Sequence, residues 1–414
     1  MNKKILFAVL FTVFIDLLGI GILIPVIPQL LANPASPFFL LPHGYSISQG
    51  YILLGFLTAI FPFMQFFATP ILGELSDRYG RKPILAISLL GTSLSYIVFA
   101  LGIIYRNLPL LFVARAFDGI TGGNIAVAQA AIADVSTPEN RVKNFGLMGA
   151  AFGVGFVLGP YLGGRLSDPT FVSWFNAATP FWFAAILAFL NVLSVMFLLP
   201  ETLKVRSKQL ALHWAKSIKN IVKAFSLEGM GAIFSTVFLF QGGFTFFTTF
   251  FSVFLITKFG WTQGNIGDYF AYVGVWIAFS QAVVTRRASK KWSEKSILSI
   301  SLFGTGLFIL AQFLPSTVWG LLLVGPFFAI FNGLSMANLT SLVSRSAGKE
   351  IQGEILGINA SVQALAQTIP PILSGFIAAN IGARVPIFVS GFTVILAGIV
   401  FVIFYRRKNL APAY

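Results

Sequence analysis

The sequence predicts an all-α integral membrane protein with twelve transmembrane helices in two pseudo-symmetric six-helix bundles. Three observations predict this fold. The 414 residues are 57% hydrophobic and 10% charged, and the mean hydropathy of +0.86 is too high for the surface of a soluble globule. Apolar runs of about 20 residues, each long enough to cross the membrane as a helix, recur along the whole chain. The two halves of the chain also share weak internal similarity.

The apolar runs are the candidate spans, since hydrocarbon offers no water to an unpaired backbone. Their approximate ranges are 5–30, 50–72, 83–104, 108–132, 143–164, 178–199, 230–257, 266–285, 295–314, 317–342, 355–379 and 385–405. The short alternating segments of a transmembrane β-barrel are absent from the sequence. The first run has no small-residue cleavage site, so we expect it to be retained as a span.

The positions of the basic residues predict the topology. Of the 28 Lys and Arg residues, 23 fall in segments on the same side as the N-terminus, and four fall in segments on the opposite side. By the positive-inside rule both termini are expected in the cytoplasm. The short terminal segments suit a bacterial inner membrane. The basic residues of the cytoplasmic segments account for the net charge of +15. We therefore expect the charge to face membrane lipid, and we expect no nucleic-acid partner.

Several kinds of chemistry have no support in the sequence. The chain has no cysteine and two histidines, both in predicted loops, which argues against thiol chemistry and against a Cys/His metal site. No GxxxxGKS/T loop is present for ATP. The predicted spans carry no convergent set of nucleophile and base, so we do not expect an enzyme.

A basic amphipathic segment around ALHWAKSIKNIVKAF (211–225) divides the spans into six and six. We therefore predict an N-terminal bundle at 1–199, a cytoplasmic linker at 200–229 that lies along the membrane surface or binds a partner, and a C-terminal bundle at 230–414. ELSDRYGRKPIL (74–85) aligns with RASKKWSEKSIL (287–298), which indicates duplication. The charges are not repeated, because Asp77 aligns with Lys290 and Arg115 with Pro326.

The first span contains a single carboxylate, Asp16, within FIDLLGIGILIP (14–25). About 11 residues of helix place it ~16 Å into the span, near the middle of the bilayer. An ionised carboxylate there costs roughly 2.5 to 3.5 kcal/mol unless it is paired, hydrated or protonated. We expect Asp16 to face an interior cavity and to take part in coupling or substrate contact. The alternative is an aspartate permanently paired to a basic residue.

Span four carries two further charges, Arg115 and Asp118, on one stripe with Gln129. Their depth lies within about a turn of Asp16, so we expect the three charges to meet. Two carboxylates that share one guanidinium favour the uptake of one proton. The alternative is a static pair between Arg115 and Asp118 that ties spans one and four together.

Four motifs carry a resemblance to a known family: GELSDRYGRKP (73–83), RAFDGITGG (115–123) with AD at 133–134, GFVLGPYLGG (155–164) and DLLGIGILIPVIPQL (16–30). On these residues the chain resembles the twelve-span drug/proton antiporters of the major facilitator superfamily, the tetracycline and multidrug efflux pumps. The resemblance implies a proton-coupled antiporter that exports a hydrophobic or cationic organic compound by alternating access. It implies the proton as the coupling ion, no cofactor, and a proton-coupling role for Asp16. The proton-coupling roles of Arg115 and Asp118 are predicted from their charges, since the family more often has an uncharged residue at the position of Asp118.

The resemblance also assigns gating roles. They fall on Gly73, Asp77, Arg78, Gly80, Arg81, Asp134, Gly155, Gly159 and Pro160. Gly73 and Gly80 would allow close helix contact and a tight turn, while Asp77, Arg81 and Asp134 could form a charged latch. The glycine face of span five would pack against the other half. An ordinary basic hairpin and plain helix packing are the alternatives.

Neutral polar residues among aromatic ones are the candidate substrate contacts, because large apolar walls with few hydrogen-bonding groups suit a sizeable organic compound. They are Gln129, Gln241, Thr245, Tyr272, Trp276, Asn332, Asn359 and Gln363. Asp268, near the outer end of span eight, is interpreted as a solvated residue at a helix start.

Other functions stay open at this point. A facilitator or symporter of a metabolite or lipid-like solute would use the same spans without proton exchange. A receptor or scaffold with a transporter fold would carry no flux. One chain contains both halves, so a monomer is expected.

Overall fold

The computed structural model describes residues 3–136, 138–203, 215–227, 229–346 and 352–405, and part of the predicted linker lies outside them. The regular structure in these residues is helical. The α-helices are α1 Lys3–Leu31, α2 Ile47–Tyr79, α3 Arg81–Ile104, α4 Leu108–Thr121, α5 Asn124–Val135, α6 Pro138–Leu166, α7 Thr179–Leu198, α8 Lys216–Ser226, α9 Gly231–Phe259, α10 Gln263–Phe279, α11 Thr285–Lys291, α12 Glu294–Ala311, α13 Val318–Arg345, α14 Gln352–Asn380 and α15 Val385–Phe404.

Eleven stretches of helix in the described residues are long and apolar enough to cross a membrane. The remaining predicted span, 266–285, corresponds to α10. This helix has 17 residues and continues through a π-helical turn, Ser280–Val284, into α11. The predicted fold class of an all-α membrane protein with twelve spans is therefore confirmed.

Span four differs from the single helix predicted over 108–132. It consists of α4 and α5, which are separated by Gly122 and Gly123. Helix α2 passes very close here, because a Cβ atom on Gly123 would lie 3.0 Å from the Cα of Thr69. The break frees the carbonyl of Gly122, and Gln65 donates to it from Nε2 at 2.7 Å. This hydrogen bond is needed because a freed backbone group in hydrocarbon has no water partner.

Two compact units divide the chain. The first comprises Met1–Lys216 and Gly260–Ala271. Its apolar core includes Val9, Leu85, Val127 and Val195, which lie on α1, α3, α5 and α7 and are almost fully buried. The middle of α1, which carries Asp16, therefore lies in the interior of the unit.

The second unit comprises Ser217–Phe259 and Tyr272–Tyr414. Helix α9 is its central element, and its phenylalanine rings pack on one another and on α13. The ring of Phe247 lies 4.3 Å from that of Phe251 and 4.9 Å from that of Phe328. Aromatic packing therefore fills much of the interior of this unit.

Helices α1 and α6 meet backbone to backbone. A Cβ atom on Gly159 would lie 2.8 Å from the Cα of Gly21, and one on Gly155 would lie 2.8 Å from the Cβ of Leu17. Gly163 is equally close to Ile22. We expected the glycine face of span five to pack against the other half of the chain. That expectation is wrong for these three glycines, because small residues let α6 approach α1 within the same unit.

Gly164 is the member of this face that contacts α10. A Cβ atom there would lie 2.9 Å from the Cα of Gly267. Next to it, Arg165 and Asp268 form two hydrogen bonds at 2.9 and 2.7 Å. Asp268 is thus a partly exposed residue near the start of α10, as expected, and it is also paired with Arg165, which the sequence did not indicate. The start of α10 is thereby joined to the end of α6.

The loop after α6 strengthens this junction through Asp168. Its carboxylate accepts hydrogen bonds from the Thr170 backbone N–H at 2.9 Å and from the Thr262 hydroxyl at 3.0 Å. Burial alone would raise the pKa of Asp168, but a hydrogen bond from the Thr170 hydroxyl at 2.7 Å, the two bonds above and one from the backbone of Gly264 outweigh it and lower the pKa. The ionised carboxylate thus stabilises the folded chain.

Asp168→Asn tests this stabilisation. The pKa is lower in the folded state than in the unfolded state, so the contribution is fully present above the unfolded value near 3.8 and is lost as the pH falls through the folded pKa. We expect the variant to unfold at a lower temperature at pH 7, with a loss of about 1 kcal/mol. The difference from wild type should narrow as the pH is lowered toward 3. A difference in melting temperature that stays constant with pH would contradict this assignment.

Candidate functional site

Asp16 lies in the interior of the first unit and is 8% exposed. The Nδ2 atom of Asn124 donates a hydrogen bond to its Oδ1 atom at 3.4 Å. Its Oδ2 atom is buried and has no hydrogen-bond partner in the described residues, and the same holds for the Oδ1 atom of Asn124. Asn124 is the first residue of α5, so the break in span four places its amide beside the carboxylate. The predicted interior position of Asp16 is thus observed.

Arg115 and Asp118 form a buried ion pair on α4, with Nη1 of Arg115 and Oδ2 of Asp118 2.6 Å apart. The guanidinium also lies over the ring of Phe61, 4.4 Å from its centroid, which allows a cation–π interaction. Both charges of the pair come from a single helix, three residues apart. The pair that the alternative predicted is therefore present, but it lies within span four and does not itself link span one to span four.

The three predicted charges do not form one ion-paired group. Within the described residues, Asp16 makes no salt bridge, and its hydrogen-bond donor is the neutral Asn124. The expectation that the three would meet is corrected accordingly: Arg115 balances Asp118 and leaves Asp16 without a cationic partner. Asp118 remains close enough to Asp16 for the two carboxylates to repel each other.

Sequence reasoning missed two neighbours of this group. The polar Asn124 directly after two glycines was a usable signal of a broken span. Tyr96 on α3 gave no such signal, because an aromatic residue in an apolar span is ordinary. Its hydroxyl group packs against Gly19, within electrostatic range of Asp16, Arg115 and Asp118.

A second charged group lies where α2 ends and α3 begins. Arg81 is 7% exposed and contacts Asp77 at 2.7 Å and Asp134 at 3.1 Å. It also donates to the hydroxyl of Ser76 at 2.6 Å. The structure thus brings together the three residues of the predicted latch. Its role in gating stays a prediction.

Glu201, after α7, is a further member of this group that the sequence did not indicate. Its carboxylate accepts hydrogen bonds from the backbone N–H of Arg81 at 2.9 Å and of Lys82 at 3.3 Å. It thereby accepts hydrogen bonds from backbone N–H groups in the first turn of α3, which have no acceptor within the helix. Gly80 has a φ of 109° and packs directly on this carboxylate, so a side chain is disfavoured there for two reasons.

One predicted gating residue, Gly73, has other surroundings than we expected. No described atom lies within 4 Å of the position that a Cβ atom on Gly73 would take, so Gly73 makes no close helix contact. Arg78 lies over the ring of Tyr79 at 5.4 Å and makes no salt bridge in the described residues. Pro160 lies inside the continuous helix α6, and its ring packs near Gly21.

The predicted substrate residues lie in both units. Gln129 is on α5 in the first unit, and the others are on helices of the second, namely Gln241 and Thr245 on α9, Tyr272 and Trp276 on α10, Asn332 on α13, and Asn359 and Gln363 on α14. The structure therefore does not place Gln129 with the others in one unit.

The polar atoms of the predicted substrate residues differ in whether they already have a hydrogen-bond partner. The hydroxyl of Thr245 donates to the carbonyl of Gln241 at 2.8 Å, and that of Tyr272 donates to the carbonyl of Leu322 at 3.0 Å. The Oδ1 atoms of Asn332 and Asn359 are buried and have no partner in the described residues. Of these four residues, the two asparagines thus retain an acceptor for a ligand.

Comparison with known proteins identifies the family of this chain. The model of the Major Facilitator Superfamily matches residues 9–294 and 233–413. "Tetracycline resistance protein, class H" of Pasteurella multocida is 35% identical over 382 residues, which are 91% of this chain and 89% of that protein. "Multidrug resistance protein 2" of Bacillus subtilis (strain 168) is 28% identical over 416 residues, or 100% and 98% of the two chains.

A solved structure shares the fold at low sequence identity. The crystal structure of a D-xylose-proton symporter superposes with a TM-score of 0.78 and 18% identity, and the match covers 97% of this chain and 98% of the symporter. Together with the twelve spans and their motifs, the matches to the family model and to the relatives show that this chain belongs to the major facilitator superfamily, among the tetracycline and multidrug resistance proteins.

Proposed function

We propose that the chain is a proton-coupled antiporter that exports a hydrophobic or cationic organic compound by alternating access. The names of the relatives, which are tetracycline and multidrug resistance proteins, support export of a drug-like compound. The observation that carries the proposal is the Asp16 carboxylate, which is buried in the first unit with one neutral donor and one unpartnered oxygen.

An ionised carboxylate with these surroundings is unstable in hydrocarbon. Arg115 does not relieve it, because Asp118 already balances that guanidinium at 2.6 Å. A proton or a cationic group of the exported compound would neutralise Asp16, but both cannot occupy it together. Competition for one carboxylate is a simple physical basis for exchange.

Alternating access needs a closure at each end of the spans that opens in turn. The group around Arg81 lies at the end of α2 and α3 where positive charge concentrates, which we assign to the cytoplasm. The ion pair of Arg165 with Asp268 lies at the opposite end, in the last turn of α6, which we assign to the outside of a bacterial inner membrane. These two groups are the proposed inner and outer closures.

Recognition of the compound is assigned to the aromatic walls and to the acceptors of Asn332 and Asn359. Such a lining would accept apolar compounds that carry a hydrogen-bond donor. No cofactor is proposed, and a single chain would suffice for transport.

Asp16→Asn is the decisive variant. We expect uptake driven by a pH gradient into inverted vesicles to fall to background, since the amide cannot take up a proton. Thermal unfolding should be unchanged or occur at higher temperature, because a buried unpaired charge has been removed. Glu294→Gln, the same change at the start of α12, is the control and should transport normally. Uptake driven by the pH gradient that persists in Asp16→Asn would contradict this role, and wild-type uptake that does not respond to the pH gradient would instead indicate a facilitator.

Asn124→Ala tests the donor to Asp16. Loss of this hydrogen bond removes the one described donor to the ionised carboxylate, so proton uptake should be favoured relative to wild type. The pH at which proton-driven transport is half-maximal should rise accordingly, while the maximal rate changes little. A loss of transport at every pH, with no shift of the midpoint, would mean that Asn124 only maintains the fold.

Charge reversal tests the outer closure. The chain has no cysteine, so Gln263→Cys at the start of α10 offers a single site for alkylation. Arg165→Asp should speed alkylation about fivefold, since a half-exposed ion pair contributes about 1 kcal/mol. Adding Asp268→Arg should restore the slow rate. Equal rates in the single and double reversals would exclude this ion pair as a closure.

A further inference from the structure

The hydroxyl of Tyr272, a predicted substrate contact, is already engaged within the second unit. Tyr272 lies on α10, and its hydroxyl donates to the backbone carbonyl of Leu322 on α13 at 3.0 Å. A carbonyl inside an α-helix normally accepts from the N–H group four residues later. The residue at that position is Pro326, which lies inside α13 and has no N–H group. The tyrosine hydroxyl therefore takes the place of the backbone donor that the proline removes.

The surroundings explain why this hydrogen bond is needed. A carbonyl without a donor costs free energy in hydrocarbon, because no water is present to replace the donor. A proline ring also pushes against the carbonyl four residues before it, which opens the helix at that point. The donor from α10 satisfies the carbonyl and fixes the position of α13 against α10 at the proline.

A second hydroxyl joins α13 to the same span. Ser280, at the start of the π-helical turn that follows α10, donates to the carbonyl of Ile330 at 2.6 Å. A Cβ atom on Gly333 would lie 2.8 Å from the Cβ of Ser280, so the two backbones are close here. The two donors are eight residues apart, and so are the two acceptors. Two such bonds, about 12 Å apart along the helices, fix how α13 is shifted and rotated against its neighbour.

Asn332 lies two residues after the second of these bonds. It is fully buried, and its Nδ2 atom contacts the Sδ atom of Met336 at 3.7 Å. Its Oδ1 atom has no partner in the part of the chain that the structure describes. The place of this acceptor therefore depends on how α13 is held at Leu322 and Ile330.

The first unit has a similar arrangement in the corresponding spans. Gln65, on span two, donates to the carbonyl of Gly122 where span four is interrupted. Asn124 follows two residues later, and its Oδ1 atom is also buried without a partner among the described residues. In each unit, a side chain of one span thus satisfies a freed carbonyl of another, ahead of an asparagine that retains an acceptor.

We infer that Tyr272 is a positioning residue for the exported compound and not a contact with it. Its hydroxyl replaces the hydrogen bond that Pro326 removes, and this bond keeps Asn332 in place to accept a hydrogen bond from the compound. The inference rests on recognition at Asn332, which is part of the proposed function. A direct contact would require the tyrosine hydroxyl to leave the Leu322 carbonyl without a donor.

A double-mutant cycle on the full chain tests the replacement of the missing bond without any compound. Tyr272→Phe removes the hydroxyl and keeps the ring, so this variant should unfold at a lower temperature than wild type. Pro326→Ala restores the N–H group that the Leu322 carbonyl lacks. Tyr272→Phe should therefore lower the melting temperature less in the Pro326→Ala chain than in wild type. An equal decrease in both backgrounds would overturn the inference.

Binding of ethidium, a hydrophobic cation with amino donors, tests the positioning role. Tyr272→Phe should weaken ethidium binding about fivefold, which corresponds to about 1 kcal/mol. The same change in the Pro326→Ala chain should have no further effect. Tyr105→Phe, at an exposed position directly after α3, is the matched control and should bind ethidium as wild type does.

The other outcomes of the binding experiment separate the alternatives. A hydroxyl that contacted ethidium directly would weaken binding equally in both backgrounds, which would overturn the positioning role. Unchanged ethidium affinity in Tyr272→Phe would also overturn it, because the bond to Leu322 would then serve stability alone. Failure of the proposed recognition would give a different result, since wild type and Asn332→Ala would then have equal affinity, and both proposals would be overturned.

Discussion

The cost of an ionised group in hydrocarbon is the constraint on which this structure depends. Arg115 and Asp118 meet it by pairing within one turn of α4. Arg81, which is buried where α2 ends and α3 begins, pairs with two carboxylates. Asp16 meets it only in part, through the amide of Asn124. That incomplete satisfaction distinguishes Asp16 from the other buried charges and makes it the centre of the proposed exchange.

Close backbone approach brings these groups into place. Gly155, Gly159 and Gly163 let α6 lie directly on α1. Gly122 and Gly123 interrupt span four where α2 passes, and Gln65 satisfies the freed carbonyl. The interruption makes Asn124 the start of a new helix beside Asp16. Because these glycines have no side chains, the helices approach closely, and this approach determines where the polar side chains lie.

Much of the fold and part of the site could be predicted from residue order. The fold class and the interior position of Asp16 followed from hydropathy and from the cost of a buried charge. The contacts of Arg81 with Asp77 and Asp134 followed from the motif between spans two and three. The partners of Asp16, Glu201 and Asp268 could not be predicted, because each comes from a helix or loop distant in sequence. The prediction for the glycines of α6 was wrong for the same reason. Their spacing shows that they share one face of the helix, but it does not show which helix that face contacts.

By itself the sequence determined that this protein spans the membrane about twelve times and belongs with transporters, because hydrophobic length and local motifs are properties of residue order. Only the tertiary structure decided that Arg115 is balanced within its own helix, that Asn124 is the donor to Asp16, and that Arg165 binds Asp268. Those outcomes depend on which helices approach within hydrogen-bonding distance. Such distances are set by packing of whole helices and not by any local pattern.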